Sequence, residues 1–269
     1  MRHSTLPGRN TNLIVSLLYL SVLVLFPLLF LIFSVQHVSL EKAISILSTK
    51  RALSAFRISF STSILAALID LILGMIIAWT LVKYKFFGRK FFDSIVDLPF
   101  AMPTAVSGIA LATVYSNKGW IGSFLPHSQI SYTPIGIIIA LVFIGLPFVV
   151  RSIQPAIESL DHEMEEAAAS LGAKRPAIIK SIVLPQLFPS IITGFTMSLA
   201  RGLGEYGSVI FIAGNIPYVS EIVPLLIVIE LEQFDYETAT VIAIAMLALS
   251  FFLLVALGIA GTFIRKRYG

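Results

Sequence analysis

The chain has 269 residues, 57% of them hydrophobic and 13% charged. Its mean hydropathy is +0.92, whereas a soluble domain carries about a quarter charged residues. These values exclude an ordinary soluble domain and indicate a polytopic membrane protein, so the net charge of +4 belongs to loops and not to a nucleic-acid surface.

Other classes fall away on residue type. Cys is absent, which removes disulfides, thiol catalysis and Cys-ligated metals. His3, His37, His127 and His162 are scattered and share no ligand spacing. There is no G-x-x-x-x-G-K-[ST], no H-E-x-x-H and no nucleophile elbow. No catalytic residue, metal site or bound cofactor is therefore expected in this chain.

Six spans are predicted from runs of about 20 apolar residues. They lie near 13–35, 57–82, 94–115, 134–151, 187–212 and 239–264. The layout is then a cytoplasmic N-terminus at 1–12, a transmembrane domain at 13–264 and a cytoplasmic C-terminus at 265–269. The first run, Leu13 to Val35, is followed by no small-residue cleavage site and reads as a span and not a signal peptide. Val219 to Leu231 is apolar but interrupted by Glu221 and Pro224, so it is expected to be re-entrant or surface-lying.

Basic residues orient the spans. With both termini inside, the inner side carries Arg2, Arg9, Lys83, Lys85, Arg89, Lys90, Arg151, Lys174, Arg175, Lys180, Arg265, Lys266 and Arg267. The outer side carries Lys42, Lys50, Arg51, Arg57 and Lys118, and Arg201 falls within a span. Lys118 and Ser220 should therefore be reachable from outside, and Lys174 should not. The outer segment 205–238 holds six carboxylates and no Lys or Arg.

One inner loop, 159–185, has the pattern of a docking element. Asp161 can N-cap a helix, and Glu163, Glu165 and Glu166 then sit at its positive end. Ala167, Ala168 and Ala169 favour helix, and Gly172 suits a left-handed C-terminal cap. Pro176 can open a second helix as its first residue. Met164, Ala168 and Leu171 share one apolar face. A helix lying on lipid would be rich in Lys and Arg; this one is acidic, so a protein groove is the better partner.

Three ionisable or small-residue features lie inside spans. Arg201 and Glu205 are four apart and can pair; the pair either lines a path for an anion or fixes two helices. Asp70 sits mid-span, facing either a path or a partner helix. Gly202, Gly204 and Gly207 form G-x-G-x-x-G, but no strand precedes them, so they read as helix packing or a break and not as a dinucleotide site.

The loop spells Glu166-Ala167-Ala168, then Gly172 three residues later, then Ile182-x-Leu184-Pro185 nine residues on. This resembles the signature loop of ABC-importer permeases. Asp97–Val106, Ala200–Ile210, Gly214–Pro217 and Glu221–Tyr236 resemble the sulfate/molybdate branch, most closely permeases of the sulfate/thiosulfate T type. The resemblance implies an all-α, type I importer (MetI-like) permease fold with a cytoplasmic coupling helix. It implies that Glu166, Ala167, Ala168, Gly172, Ile182, Leu184 and Pro185 couple the chain to an ATPase. It further implies two ATP-binding subunits that use the ATP, a second permease subunit forming a heterodimer, and an external sulfate-binding protein. The surroundings would be membrane lipid, in a bacterial inner membrane or, given the Ile- and Phe-rich composition, a plastid inner envelope. A molybdate or tungstate permease is the alternative within the class. An ion-coupled secondary transporter is the alternative outside it, and would show internal repeats that this sequence lacks.

Overall fold

The computed structural model describes residues 9–124 and 129–268, and among these it contains helices and no strand. α1 (Arg9–Leu20) passes through a π turn (Ser21–Leu25) into α2 (Phe26–Ser34). Next come α3 (Leu40–Leu47), α4 (Lys50–Lys83), α5 (Arg89–Val96), α6 (Leu98–Ala101) and α7 (Thr104–Tyr115). α8 (Pro134–Glu158), α9 (His162–Ser170) and α10 (Arg175–Ile178) follow, and α10 runs through a second π turn (Ile179–Val183) into α11 (Leu184–Leu203). The chain ends with α12 (Val209–Ala213), α13 (Val223–Glu232) and α14 (Tyr236–Tyr268).

Both π turns end two residues before a proline, Pro27 and Pro185. Proline has no N–H, and its ring crowds the carbonyl four residues back. Winding that turn wider relieves the crowding and keeps the helix continuous: Phe26 N–H reaches Ser21 O, and Leu184 N–H reaches Ile179 O.

Among the described residues five helices are long and apolar enough to cross a membrane: Thr11–Ser34, Lys50–Lys83, Pro134–Glu158, Arg175–Leu203 and Tyr236–Thr262. The expected count of six is corrected at the third span. Residues 94–115 are not one helix but α5, α6 and α7, broken at Asp97 and again at Met102–Pro103. Pro103 pushes Met102 into extended backbone, ψ 135°, and ends α6 after a single turn. The predicted fifth span, 187–212, is also redrawn. Its helix starts at Arg175, stops at Leu203, and resumes only at Val209. Two other spans are longer than expected, since α4 starts earlier, at Lys50, and α8 continues to Glu158. Pro176 is the second residue of α10, after Arg175. Val219 to Leu231 supplies the ten-residue α13, too short to span.

α4, α8 and α11 form the centre. α4 buries Ala52, Ala55, Ala66, Ala67 and Ala78, small residues that let neighbouring helices approach. Ile137, Ile153, Ile157 and Leu187 fill the space between. At one end of the bundle Lys42 pairs with Glu237 at 2.5 Å, and at the other Lys83 lies 3.9 Å from Glu165. Asp235 caps α14 by accepting from Thr238 N–H, which holds its carboxyl below the ordinary value.

α7 meets the α11–α12 connection without room to spare. A Cβ at Gly108 would lie 2.4 Å from the Ser208 carbonyl oxygen and 2.8 Å from its Cα, both backbone atoms. Gly258 on α14 has nothing within 4 Å of a Cβ. Gly108→Ala should therefore destabilise the purified chain by about 1–3 kcal/mol, while Gly258→Ala should be neutral or slightly stabilising. Thermal unfolding in detergent checks this, and equal melting temperatures for the two variants would contradict the packing described.

Candidate coupling and translocation site

α9 is capped at both ends by the residues its sequence provides. Asp161 accepts from Glu163 N–H at 2.9 Å at the start. At the finish Gly172 adopts φ +84°, which costs glycine little. Gly172 N–H then donates to Ala169 O and Ala173 N–H to Ala168 O, each at 3.0 Å, the two bonds of a Schellman cap. A Cβ at Gly172 would meet no atom within 4 Å, so backbone conformation and not space restricts this position.

The helix so fixed stands proud of the bundle. Glu166 and Ala167 are exposed and Ala168 is half-buried. Leu171 is 90% exposed and Met164 54%, an apolar pair with no cover in this chain. Ile182 lies in the π turn, and Leu184 and Pro185 open α11. A groove of about 530 Å³ runs between the two halves of the loop. Glu165, Glu166 and Ala169 line one wall; Trp79, Ile179 and Val183 line the other. The structure thus brings the Glu166 and Ile182 halves of the pattern to one surface patch.

Arg201 and Glu205 straddle the end of α11. Arg201 Nη1 is 2.5 Å from Glu205 Oε2. The other carboxylate oxygen accepts from Ser208 N–H at 2.8 Å and from Ser208 Oγ at 2.9 Å. Glu205 is buried, whereas the Arg201 side chain keeps 31% of its exposure. The carboxylate therefore holds the break together from inside, and the Arg201 side chain stays partly exposed beside it. The glycines mark the same break: Gly204 caps α11, and Gly207 packs against Thr104 of α7.

Asp70 is elsewhere. It is fully buried in α4 and accepts from Ser198 Oγ on α11 at 2.6 Å. Gly145 on α8 makes room, since a Cβ there would fall 2.0 Å from Asp70 Oδ2. Asp70 thus joins the three central helices at one point, and it does not touch Arg201 or Glu205.

Two networks escape sequence reading. Arg151 near the end of α8 donates to Asp97 at 2.8 and 2.6 Å, to Asp93 at 2.6 Å and to Gln154 at 2.5 Å. It clamps the broken third span to α8. Arg51 makes a two-pronged bond to buried Glu221, at 2.9 and 2.6 Å, with Glu230 at 3.6 Å. The available signal was Arg51 standing opposite a run of outer carboxylates, but no spacing in the sequence says which carboxylate it takes. Among the described residues no group of three or more His, Cys, Asp or Glu is placed to hold a metal ion.

Residues 70–268 match the family described as the binding-protein-dependent transport system inner membrane component. The chain belongs to this family. As a transport-system membrane component it has relatives along nearly its whole length. It is 42% identical over 244 residues to a probable sulfate transport system permease protein cysT of Nephroselmis olivacea, covering 90% of this chain and 86% of that one. It is 40% identical over 251 residues to the sulfate transport system permease protein CysT of Salmonella typhimurium, covering 93% and 91%. Among solved structures it resembles a bacterial ABC transporter that imports the acidic polysaccharide alginate, with a TM-score of 0.76 at 17% identity, over 95% of each chain. At that identity the likeness establishes the fold, that of type I ABC-importer permeases.

The break in this transport component rests on Glu205. Glu205→Ala would leave the Ser208 N–H unsatisfied and Arg201 without its partner, a loss on the order of 3 kcal/mol. Arg201→Gln should cost less, because that side chain is partly wetted. Thermal unfolding of the two variants gives the comparison, and a Glu205→Ala melt equal to that of the parent would show the pair to be dispensable.

Proposed function

We propose that the chain is the permease subunit of an ATP-driven sulfate/thiosulfate importer. The observation carrying this reading is identity of about 40% across more than 85% of the length of relatives named as sulfate transport permeases. The exposed α9, with Leu171 bare at its tip, supports coupling through the loop 159–185 to a separate ATPase. Glu166, Ala167, Ala168 and Gly172 form the inserted part, and Ile182, Leu184 and Pro185 the base that passes its motion to α11. Two ATP-binding subunits use the ATP; this chain holds no cofactor.

A second, homologous permease subunit completes the path as a heterodimer. In its support, none of the most apolar window of Thr11–Ser34 is buried, which leaves that span's circumference to lipid or to a neighbour. An external sulfate-binding protein delivers the anion. A structural neighbour, the alginate transporter, has been solved with a periplasmic protein bound. Arg201, with spare donors beside a helix break, is the group that attracts the dianion along the path. Asp70, buried against Ser198, serves as a helix contact in this reading. The domain layout is 13–264 within the membrane and 1–12 and 265–269 inside, in a bacterial inner membrane or a plastid inner envelope with both termini on the ATPase side.

Complementation tests the substrate. A host lacking sulfate uptake receives this chain with its partner permease, ATPase and binding protein. Radiolabelled sulfate should enter in an ATP-dependent manner, be competed by thiosulfate, and fail to enter when this chain is omitted. Trace molybdate uptake that excess sulfate cannot compete would reject sulfate as the substrate. In the same system Gly172→Val should insert in the membrane but lose ATPase association, since a β-branched residue resists φ +84°.

Orientation is tested by single cysteines, for which the Cys-free sequence is a clean background. Ser220 is not a usable outer position, because it is fully buried and donates to Ala213 O at 2.6 Å. Val219, 45% exposed, replaces it. Cysteines at 118 and 219 should react with an impermeant thiol reagent on sealed cells, and one at 174 should not. Reaction at 174 would overturn the topology.

A further inference from the structure

A second apolar cavity lies away from both sites described. It has a volume of about 460 Å³ and opens between α4, the broken third span and α8. Leu81, Phe92 and Ile95 form one end; Tyr115, Ile139 and Val142 form the other. From Leu146 to Ile139 along α8 is seven residues, so the cavity extends about 10 Å along the helix axes. Its shape is that of a furrow running into the membrane from one interface.

The mouth of the furrow has a distinct chemistry. Phe86 packs on Phe92 with ring centroids 6.0 Å apart, and Phe91 packs on Phe92 at 5.9 Å. Phe87 is fully exposed and Phe91 is 66% exposed. Lys85, Arg89 and Lys90 are interleaved with these rings. Arg89 stands three residues before Phe92, on the same side of α5. Among the described residues none of the three cations is within ion-pair distance of a carboxylate. Asp93, one turn beyond Arg89, is already held by Arg151 and Gln154. Arg89 still feels the Asp93 charge, but among the described residues none of the three cations is locked in an ion pair. Exposed aromatic rings beside such cations, at the end of a spanning bundle, are the chemistry of an anionic membrane interface.

We propose that this furrow holds one acyl chain of an anionic phospholipid of the ATPase-side leaflet, with its phosphate on Lys85, Arg89 and Lys90. An acyl chain is the occupant that suits a long, apolar, laterally open space. The three cations require a negative headgroup and give a zwitterionic lipid little advantage. The bound chain touches α4, α5, α7 and α8 together, so it fills the gap the broken third span leaves. The site rests on the membrane assignment and on the proposed orientation, and does not depend on which anion is transported.

Quenching by brominated lipid tests this in the assembled, purified complex. Phe92→Trp places a reporter in the furrow, and the parent complex, with Trp79 and Trp120, supplies the background. Chain-brominated phosphatidylglycerol should quench the added signal at about tenfold lower mole fraction than brominated phosphatidylcholine. Lys85→Gln, Arg89→Gln and Lys90→Gln together should abolish that preference, and these surface changes leave the core untouched. Leu111→Trp, filling the furrow in place of the reporter variant, should lower the number of anionic lipids retained on purification. Equal quenching by the two lipids, or an unchanged preference in the triple variant, overturns the proposal. Absence of quenching by either lipid also overturns it and assigns the furrow to a helix of a neighbouring subunit. Sulfate uptake is not measured, so failure here is separable from failure of the transport reading.

Discussion

A charge or an open backbone group inside a bilayer must bring its own partner, because no water is there to supply one. Three polar clusters among the described residues obey that constraint. Where α11 ends, Glu205 satisfies Ser208 N–H and Arg201 with its two oxygens. Where the third span breaks, Arg151 gathers Asp93, Asp97 and Gln154. Where α4 enters, Arg51 takes Glu221, which is almost wholly buried. The bundle is built of apolar contacts; prolines set where the winding changes, and these polar clusters tie the breaks to the helices beside them.

The constraint also separates structural from available charge. Glu205 has both oxygens committed. Arg201 has five N–H donors and one carboxylate, and it retains exposure. Pairing therefore lowers the cost of placing Arg201 in the membrane while part of its side chain stays exposed. The pairing expected from the sequence is present, with the carboxylate holding the break and the Arg201 side chain partly exposed.

The loop was legible because its determinants are local. Asp161, the alanine run and Gly172 specify caps and propensity within twelve residues, and the structure forms both caps from those residues. The long apolar spans were legible for the same reason. What was not legible depends on contacts distant in sequence. Arg151 and Asp97 are 54 positions apart, and Arg51 and Glu221 are 170 apart. Residues 94–115 carry enough apolar side chains to span, so hydropathy alone joins three pieces that Pro99, Pro103 and the Arg151 clamp keep apart. The start of α11 was placed late because Lys174, Arg175 and Lys180 lower the local hydropathy, although the backbone there is already helical from Arg175.

That early start has a mechanical consequence. From Arg175 to Leu203 the helix is continuous over 29 residues, a rod of roughly 40 Å. One end lies beside α9, and the other carries Arg201 and its break. Asp70 holds the rod through Ser198, five residues before its end at Leu203, where Gly145 lets α8 come close. The loop and the break are thus joined by one continuous helix, which a buried hydrogen bond ties to α4 three residues before Arg201. Pro185 sits between the loop and that point, and the π turn before it is where the rod departs from α-helical winding. The last residue of the pattern thus stands at the wide turn between the α9 loop and the packed length of α11.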